Sequence, residues 1–458
     1  MKPFIHPSVS SAALSRFWER LNATGTEMHC LNIRLKDQPL VRWSSAPYEC
    51  TDKRLLYSLS KSFCSTAAGI AFDKGLLHPD DAVLKYFPEY ADACSADARW
   101  QRMKLRHVMS MNTGHANGVY QQMLRSEDSV QPFFTSPLTY EPGSYFVYNT
   151  GATCLLAEVV RRVTGMTVPQ WLSIHLFGEL GIDSFEWAQC RDGHCQGGTG
   201  LYLSCDDLVL LGQLYLNEGM WQGKRLLSRE WVQMATAAHS DNSVTGHPGP
   251  DWNAGYGFQF WRNHRMGYRG DGAYGQLLVM VPEKQIVVAL QAESKHMQAE
   301  MDAVFALLDE LFGTEQAKLP EGYVPNGTLD GRELDTGWRT LAPNCYDLRS
   351  LRLKIDPSGA KLWLADDTHT ECLIAPSGKW RENCLHFIAG IEGAKRPVTL
   401  RLSAAARTEG ETVIIEWRQR NTPHACDWKI TFDSEGKLHM KRFSPMGVPN
   451  DFEVLDEQ

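Results

Sequence analysis

The chain has 458 residues and a formal net charge of −8, and it contains no run of basic residues. Such an acidic balance repels a phosphate backbone, so we expect no nucleic-acid binding. No apolar stretch approaches the length of a membrane span, so no membrane association is expected either. A chain this long exceeds what one hydrophobic core usually serves, which predicts two domains.

The N-terminal segment and the cysteines indicate the compartment. The first 25 residues lack the apolar core of a secretory signal and carry Arg16, Glu19 and Arg20. The 12 cysteines are spread along the chain and are therefore interpreted as reduced thiols of a cytoplasmic protein. Cys190 and Cys195, with His194 between them, lack the spacing of a zinc site, so no metal is expected.

The first 313 residues have strand patterns at both ends and helical patterns between them. A helix is predicted over 9–22, a strand hairpin over 28–45, and mostly helical structure from about 100 to 235. Further predicted elements are strands at 255–263, 265–270, 276–282 and 285–293 and a helix at 296–313. This order predicts one antiparallel sheet built from the two ends, with the helical block as a second lobe and the site in the cleft.

The rest of the chain has a different residue pattern. Residues 314–340 are rich in Gly, Pro, Asp and Thr and are predicted to be a linker. Residues 341–458 contain eight short strand patterns separated by turn signals, which predicts an all-β domain, either a lipocalin-like barrel or a sandwich. This domain carries no catalytic pattern. It is open to two interpretations, a lid or substrate-binding module and a purely structural unit.

Three Ser-x-x-Lys sequences occur, and their contexts differ. Ser358–Lys361 and Ser434–Lys437 lie in Asp- and Gly-containing turns between alternating strands, where the lysine is expected to be solvated. Ser58–Lys61 instead precedes an Ala-rich apolar run that ends at Gly75, so a buried helix is predicted to begin at Ser58. Residues i and i+3 share a helix face, so the lysine amine can reach the serine hydroxyl and, if its pKa is depressed, remove its proton.

The Ser58 stretch is the first of five motifs that follow one another in a fixed order. The others include LRHVMSMNTG, EPGSYFVYNTGATCLLAEVVRRVTG, GLYLSCDDLVLLGQLYLNEGMW and GYRGDGAYGQLLVMVPE. As an ordered set they resemble the serine β-lactamase and penicillin-binding-protein superfamily over about residues 10–313. The most similar branch is that of the class C-like serine hydrolases, with carboxylesterases, D-amino-acid peptidases and aminohexanoate-dimer hydrolases. The resemblance implies an α/β fold of the α+β type, an antiparallel sheet flanked by helices with a helical lobe.

The resemblance also implies roles for particular residues. Ser58 corresponds to the nucleophile, Lys61 to its base, and Tyr148 to the second member of a proton relay. The alternative for Tyr148 is a core tyrosine beside Phe146. Thr150 occupies the third position of the tyrosine motif, where family members have Asn, and a hydroxyl lacks the separate donor and acceptor ends of an amide. Thr150 is therefore a weaker expected ligand for a substrate amide.

The third family motif is only partly matched. Gly272 matches its glycine, but the basic residue is missing and Arg269 is merely adjacent. The resemblance therefore implies neutral esters or amides rather than penicillin-like acids. The backbone N–H groups of Ala273 and Ser58 would form the oxyanion hole. Asp271, beside this hole, is a hypothetical binder of a substrate amine.

Two further sets of residues have weaker claims. Four aromatic residues could line an acyl pocket, with core packing as the alternative reading: Tyr256, Phe258, Trp261 and Tyr274. His115 follows a loop glycine and is expected to edge the cleft.

The sequence therefore predicts a serine hydrolase acting on small esters or amides, including D-amino-acid peptides. It would work through an acyl-enzyme without metal or organic cofactor. The competing interpretation is a non-catalytic ligand-binding or scaffolding relative that keeps the fold without turnover. The sequence gives no indication of the oligomeric state.

Overall fold

The computed structural model describes residues 3–320, 322–325, 327–344, 347–391, 394–432, 438–443 and 454–455. Two compact units are present. The first contains Lys53–Ala292, His296–Leu319 and the chain up to Trp43. The second contains Ser44–Asp52, Glu293–Lys295 and the chain from Pro320 onward.

The first unit is built on a seven-stranded sheet in the order β1-β3-β2-β12-β11-β10-β9. The sheet thus joins strands from both ends of this unit, as the sequence predicts. Strand β10 is antiparallel to both β9 and β11, and β11 is antiparallel to β12. The strands of the unit are β1 Phe4–Ile5, β2 Glu27–Leu35, β3 Gln38–Ser44, β4 Arg54–Leu55, β5 Glu186–Trp187, β6 Leu201–Leu203, β7 Met220–Trp221, β8 Lys224–Arg225, β9 Trp261–Arg262, β10 Tyr268–Gly272, β11 Gln276–Val281 and β12 Ile286–Glu293.

One predicted strand is much shorter than expected. The pattern over 255–263 yields only the two-residue β9, because Gly255 and Gln259 adopt positive φ angles of 103° and 67° that no strand tolerates. Strands β4, β6 and β5 form a separate small sheet, and β7 and β8 form a hairpin.

Helices fill the middle of the first unit and cover its sheet. They are α1 Ser11–Ala23, α2 Ser60–Asp73, α3 Arg99–Arg102, α4 Leu105–Met109, α5 Tyr120–Arg125, α6 Gln131–Thr135, α7 Thr150–Thr164, α8 Val168–Leu172, α9 Gly178–Leu180, α10 Cys205–Leu216, α11 Arg229–Thr236 and α12 Met297–Glu310. Helix α1 begins later than predicted because the Ser10 hydroxyl caps it by accepting from the Ala13 N–H. Among the described residues, no helix is both long and apolar enough to cross a bilayer.

Helix α2 does not begin at Ser58, which corrects the prediction. Residues Tyr57–Leu59 form a 3₁₀ turn and the α-helix begins at Ser60. Tyr57 has a left-handed φ of 48°, which bends the chain just before the nucleophile position. The far end is as predicted, because Gly75 has a φ of 70° and its N–H donates to the Phe72 carbonyl.

The second unit consists of two five-stranded antiparallel sheets, in the orders β16-β15-β14-β13-β22 and β17-β18-β19-β20-β21. Apolar side chains from both sheets form one hydrophobic cluster, which includes Leu351, Leu362, Leu402, Ile415 and Trp428. The strands are β13 Leu334–Leu341, β14 Ser350–Asp356, β15 Gly359–Ala365, β16 Thr370–Pro376, β17 Arg381–Ile391, β18 Ala394–Glu409, β19 Thr412–Gln419, β20 Ala425–Phe432, β21 Leu438–Phe443 and β22 Val454–Leu455.

The eight predicted strands of this unit are present, while the predicted linker before it is divided, and of the two predicted architectures the barrel is not confirmed. The predicted linker 314–340 does not stand apart, since it is divided between the units and contains the start of β13. The ladders of the described residues form two sheets and no closed barrel. Ser358 lies in the turn between β14 and β15 with Lys361 exposed, as predicted. Ser434–Lys437 lies outside the described residues.

Candidate active site

The turn that carries Ser58 is fixed by hydrogen bonds to β6. The Leu56 N–H donates to the Leu201 carbonyl at 2.9 Å. The Ser60 hydroxyl donates to the Tyr57 carbonyl at 2.7 Å and accepts from the Leu201 N–H at 3.1 Å. One buried hydroxyl therefore ties the strained residue before the nucleophile to a neighbouring strand, and Ser58 itself remains half-buried.

The first half of helix α2 carries several hydroxyl groups, yet the helix is almost entirely buried. Its hydroxyls are satisfied by carbonyls of the segment before β9: Ser62 donates to Gln259 at 3.0 Å and Ser65 donates to Phe258 at 2.7 Å. Buried polar groups are costly unless they are paired in this way. The pairing holds the helix, and with it Lys61, against one wall of the site.

Lys61 is the buried cation at the centre of the site. Its side chain is about 1% exposed, and its Nζ lies 3.0 Å from Ser58 Oγ. Two other contacts complete its surroundings, the Gly198 carbonyl at 2.7 Å and Thr150 Oγ1 at 3.1 Å. Burial lowers the pKa of the Lys61 amine to about 7, against the smaller opposing effect of Cys154, Asp271 and Cys64.

These three contacts suit a neutral amine as well as a charged one. A neutral amine has two N–H groups and one lone pair. As an ammonium, Nζ donates to all three oxygens. As a neutral amine, it can donate its two N–H groups to the Gly198 carbonyl and the Thr150 hydroxyl, and its lone pair can accept from the Ser58 hydroxyl. The amine can therefore change protonation state without losing a partner.

Thr150 and Gly198 hold Lys61 and come from different elements. Thr150 is the first residue of α7, and Asn149 caps that helix by accepting from the Gly151 N–H at 3.0 Å. A Cβ on Gly198 would lie 2.8 Å from Thr150 Cγ2, so glycine lets its carbonyl approach. Sequence reasoning missed Gly198, although the glycine-rich run 197–200 is a signal of close backbone approach. Thr150 was expected to bind substrate and instead contacts the lysine.

We predict that Thr150→Val lowers kcat/KM roughly tenfold, since the near-isosteric side chain removes one acceptor from a buried amine. Thr150→Ser keeps the hydroxyl and is expected to retain activity near that of the wild type. Steady-state kinetics with a nitrophenyl ester measure both variants. Equal activities for the valine and serine variants would contradict this role.

Tyr148 completes a cluster of three side chains. Its ring centroid lies 4.8 Å from Lys61 Nζ, and the Ser58 hydroxyl has a smaller, lowering effect on the pKa of its phenol. Burial and the charge of Asp271 raise the pKa of Tyr148 well above its usual range. The phenol therefore stays protonated and serves as a hydrogen-bond donor, whereas Lys61 is the group suited to act as base.

Strand β10 passes unusually close to the Ser58 turn. A Cβ on Gly272 would lie 1.9 Å from the Leu56 carbonyl oxygen, and one on Gly270 would lie 2.5 Å from Ser62 Oγ. Gly272 therefore requires glycine, because the clash is with backbone, whereas at Gly270 the contacts are with side chains. The chain leaves the strand at Ala273, which is exposed.

The tyrosines next to the two expected oxyanion donors also contact each other. Tyr57 precedes Ser58 and Tyr274 follows Ala273, and their ring centroids are 5.1 Å apart in an edge-to-face contact. Both have left-handed backbones, with φ angles of 48° and 65°. Strained conformations of this kind are found where the surrounding structure fixes a functional site. The contact places the two donor segments side by side.

Asp271 and Arg269 are placed differently from expectation. Arg269 is fully buried, and its Nε donates to Asp271 Oδ2 at 2.9 Å. Asp271 is 7% exposed, so its carboxylate is already paired and is not free to bind a substrate amine. A fully buried guanidinium is equally unable to hold a substrate carboxylate.

His115 does not edge a cleft. Its Nε2 lies 3.0 Å from the Phe133 carbonyl and its Nδ1 lies 2.9 Å from Thr113 Oγ1. Burial lowers the pKa of the ring to about 4, so it stays neutral. Its two nitrogens are used inside the helical region, and it belongs to the core.

The four aromatic candidates divide by exposure. Tyr256 and Phe258 are buried, and Trp261 is 7% exposed, so these rings are packing groups. Trp261 lies parallel to Tyr148 with centroids 5.3 Å apart. Tyr274 is the partly exposed member of this set.

The cysteines and histidines do not form a metal centre in the part of the chain that the structure describes. No group of three or more His, Cys, Asp or Glu side chains there is arranged to hold an ion. Cys190 and Cys195 are both buried thiols.

The Lys61 amine thus lies beside the Ser58 hydroxyl and the Tyr148 ring, next to a glycine-bearing strand, and this cluster is the candidate active site. The β-lactamase family model matches residues 53–310, more than half of the chain. The chain therefore belongs to the β-lactamase family, and it is a hydrolase of that family.

Comparison with individual known proteins agrees with this assignment. The chain is 27% identical over 301 residues to the 6-aminohexanoate-dimer hydrolase of Paenarthrobacter ureafaciens, spanning 59% of this chain and 76% of that protein. The octameric penicillin-binding protein homologue from Pyrococcus abyssi covers 89% of this chain and 98% of its own, at 15% identity and a TM-score of 0.51. EstCE1, a hydrolase with promiscuous acyltransferase activity, covers 66% of this chain and 100% of its own, at 18% identity and a TM-score of 0.53. The two structures share the fold.

Proposed function

We propose that this protein cleaves small ester or amide bonds through an acyl-enzyme on Ser58, with Lys61 as general base and Tyr148 as proton relay. The observation that carries the proposal is the buried Lys61 amine, 3.0 Å from Ser58 Oγ and with its pKa lowered to about 7. An amine of this kind is available as a base near neutral pH.

The reaction follows from the contacts. Lys61 takes the Ser58 proton as Oγ bonds to the substrate carbonyl carbon, and the carbonyl π electrons move to oxygen. The N–H groups of Ser58 and Ala273 would stabilise this oxyanion. When the intermediate collapses, the bond to the leaving group breaks and the leaving atom takes a proton through the Tyr148 phenol, which Lys61 reprotonates. Water then attacks the acyl-enzyme by the same route and restores Ser58.

The class of substrate is inferred from the residues of strand β10. Arg269 is fully buried against Asp271, so it offers no charge to a substrate carboxylate. This favours neutral substrates. A relative that is named for hydrolysis of an aminohexanoate dimer supports amides.

The test is labelling of the protein with a fluorophosphonate probe, followed by mass spectrometry of the labelled peptide. Wild type is expected to carry one adduct on Ser58, and Ser58→Ala is expected to carry none. Ser358→Ala is the matched control because it removes the serine of another Ser-x-x-Lys sequence, and it should label like wild type. Absence of a Ser58 adduct in folded wild type would favour the non-catalytic alternative.

A substrate panel then separates the finer possibilities. Nitrophenyl esters, neutral amides and D-amino-acid amides are compared by kcat/KM, each beside an analogue bearing a carboxylate next to the scissile bond. Neutral compounds are expected to be turned over faster than their acidic analogues. The reverse order would overturn the assignment of the substrate class.

A further inference from the structure

A buried glutamine with a strained backbone lies behind the site. Gln259 belongs to the segment before β9, is 2% exposed and has a left-handed φ of 67°. Glycine adopts such an angle without strain, whereas a residue with a side chain costs free energy there. The contacts of the glutamine must therefore offset this cost, and they lead to the two helices that surround the Lys61 amine.

The backbone next to and at Gln259 holds helix α2. The Gln259 carbonyl accepts from the Ser62 hydroxyl at 3.0 Å, and Ser62 directly follows Lys61 in the sequence. The Phe258 carbonyl accepts from the Ser65 hydroxyl, one helical turn further along, at 2.7 Å. Two consecutive carbonyls therefore fix the first turns of α2, so the position of Lys61 depends on where this segment lies.

The side chain of Gln259 holds helix α7. Its Oε1 accepts from the buried Thr153 hydroxyl at 2.7 Å. Thr153 lies three residues after Thr150 and therefore on the same face of α7. Thr150 Oγ1 is in turn 3.1 Å from Lys61 Nζ. One residue thus bridges the helix that carries Lys61 and the helix that begins with its hydroxyl partner.

The other end of the same amide is bonded to the end of α4. Its Nε2 donates to the Met109 carbonyl at 2.8 Å, and the backbone N–H of Gln259 donates to that carbonyl at 3.1 Å. A carbonyl oxygen only accepts, so the NH₂ end of the amide faces Met109 and its oxygen faces Thr153. Glutamine supplies both a donor and an acceptor at this length, whereas glutamate lacks the donor and methionine offers neither.

We propose that Gln259 is a positioning residue of the site: by bridging α2 and α7 it sets the distances from Lys61 Nζ to Ser58 Oγ and to Thr150 Oγ1. It acts through Ser62 and Thr153 and takes no part in the proton transfers. The kinetic test of this inference rests on the proposed function of Ser58 and Lys61, and the structural test does not.

The variant that tests it is Gln259→Met, which keeps the length of the side chain and removes the hydrogen bonds of the amide. Its kcat for a nitrophenyl ester is expected to fall by roughly 10- to 100-fold with KM within about twofold of wild type, because a misplaced base slows the chemical step more than it weakens binding. Thr153→Val removes only the contact with α7 and should reproduce most of this loss. Thr153→Ser keeps the hydroxyl and should retain near-wild-type kcat.

Thr66→Val is the matched control for the loss of a buried hydroxyl. The Thr66 hydroxyl lies on α2 and is 2.9 Å from the Tyr215 hydroxyl, so this variant also loses a buried hydrogen bond while the contacts of Gln259 stay intact. It is expected to melt at a lower temperature than wild type and to keep the wild-type kcat. A Gln259→Met protein that is less stable in the same way but has wild-type kcat would overturn the proposal.

The Thr153 variants also serve where Gln259→Met does not fold. A lower kcat for Thr153→Val than for Thr153→Ser then supports the bridge, and equal kcat values overturn it. Where all variants fold, Gln259→Met/Thr153→Val should be no slower than Gln259→Met, because the two substitutions break one shared contact. Losses that multiply in the double variant would show that the two residues act separately and would overturn the bridge.

Crystal structures of wild type and of Gln259→Met, or of Thr153→Val in its place, separate this proposal from the proposed function. In the variant, Lys61 Nζ is expected to lie beyond hydrogen-bond reach, about 3.5 Å, of Ser58 Oγ or of Thr150 Oγ1. That result supports the positioning role even if Ser58 proves unreactive towards the fluorophosphonate. Unchanged distances beside normal Ser58 labelling of wild type overturn only the positioning role.

Discussion

Replacing Lys61 with methionine is expected to lower kcat/KM by roughly 10²- to 10⁴-fold, the usual contribution of a general base, and to leave the protein folded. Methionine fills most of the buried space that the lysine stem occupies, so the loss reports chemistry rather than packing. Lys61→Arg should be equally impaired, because a guanidinium keeps its proton at any working pH and cannot accept the one from Ser58.

The matched control is Lys74→Met, which removes an exposed lysine just after the same helix. Steady-state kinetics and a thermal melt of all three variants are the measurements. Activity within about tenfold of wild type in Lys61→Met would show that another group removes the serine proton.

Gly272→Ala is expected to lower kcat by roughly 10²- to 10³-fold, the magnitude associated with losing one oxyanion donor. The added Cβ would lie 1.9 Å from the Leu56 carbonyl oxygen, so strand and turn must move apart. That separation displaces the Ala273 N–H from the Ser58 N–H. The rate falls more than the affinity, because the hole acts on the charge that develops in the transition state.

Gly178→Ala serves as the control for this substitution. Its added Cβ would have an ordinary contact, 3.5 Å from the Ser173 carbonyl oxygen, and its φ of −59° needs no glycine. Kinetics, together with the affinity for a boronic acid that mimics the tetrahedral intermediate, distinguish the outcomes. A Gly272→Ala enzyme with wild-type kcat would show that β10 does not set the oxyanion hole.

The features that the sequence predicted well are those with local signals. Ser58, Lys61 and Tyr148 could be singled out because each lies in a motif with its own spacing, and the motifs keep a fixed order. The strands of the second unit could be placed because alternating apolar residues and turn residues recur along a short stretch. Both kinds of signal come from residues that are close together in the sequence, so they do not depend on contacts between distant segments.

The features that it missed depend on long-range contacts. Gly198 contacts Lys61 through its backbone carbonyl, so the glycine-rich run indicates a close approach of the backbone without indicating which side chain it meets. Asp271 was interpreted as a free carboxylate because nothing in the sequence states that Arg269 folds back onto it. His115 was placed at a cleft for a similar reason, since the Phe133 carbonyl that its Nε2 contacts comes from a segment 18 residues further along the chain.

In the proposed mechanism Ser58 is activated by Lys61, which is neutral near pH 7. The rate of Ser58 labelling as a function of pH tests this activation directly. The second-order rate constant for a fluorophosphonate is measured from about pH 5 to about pH 9, with adducts located by mass spectrometry. The rate is expected to rise through a single ionisation with a midpoint of about pH 7, the depressed pKa of Lys61, and to lose this rise in Lys61→Met. A wild-type rate that does not change with pH over this range, or an adduct on another residue, would contradict the account.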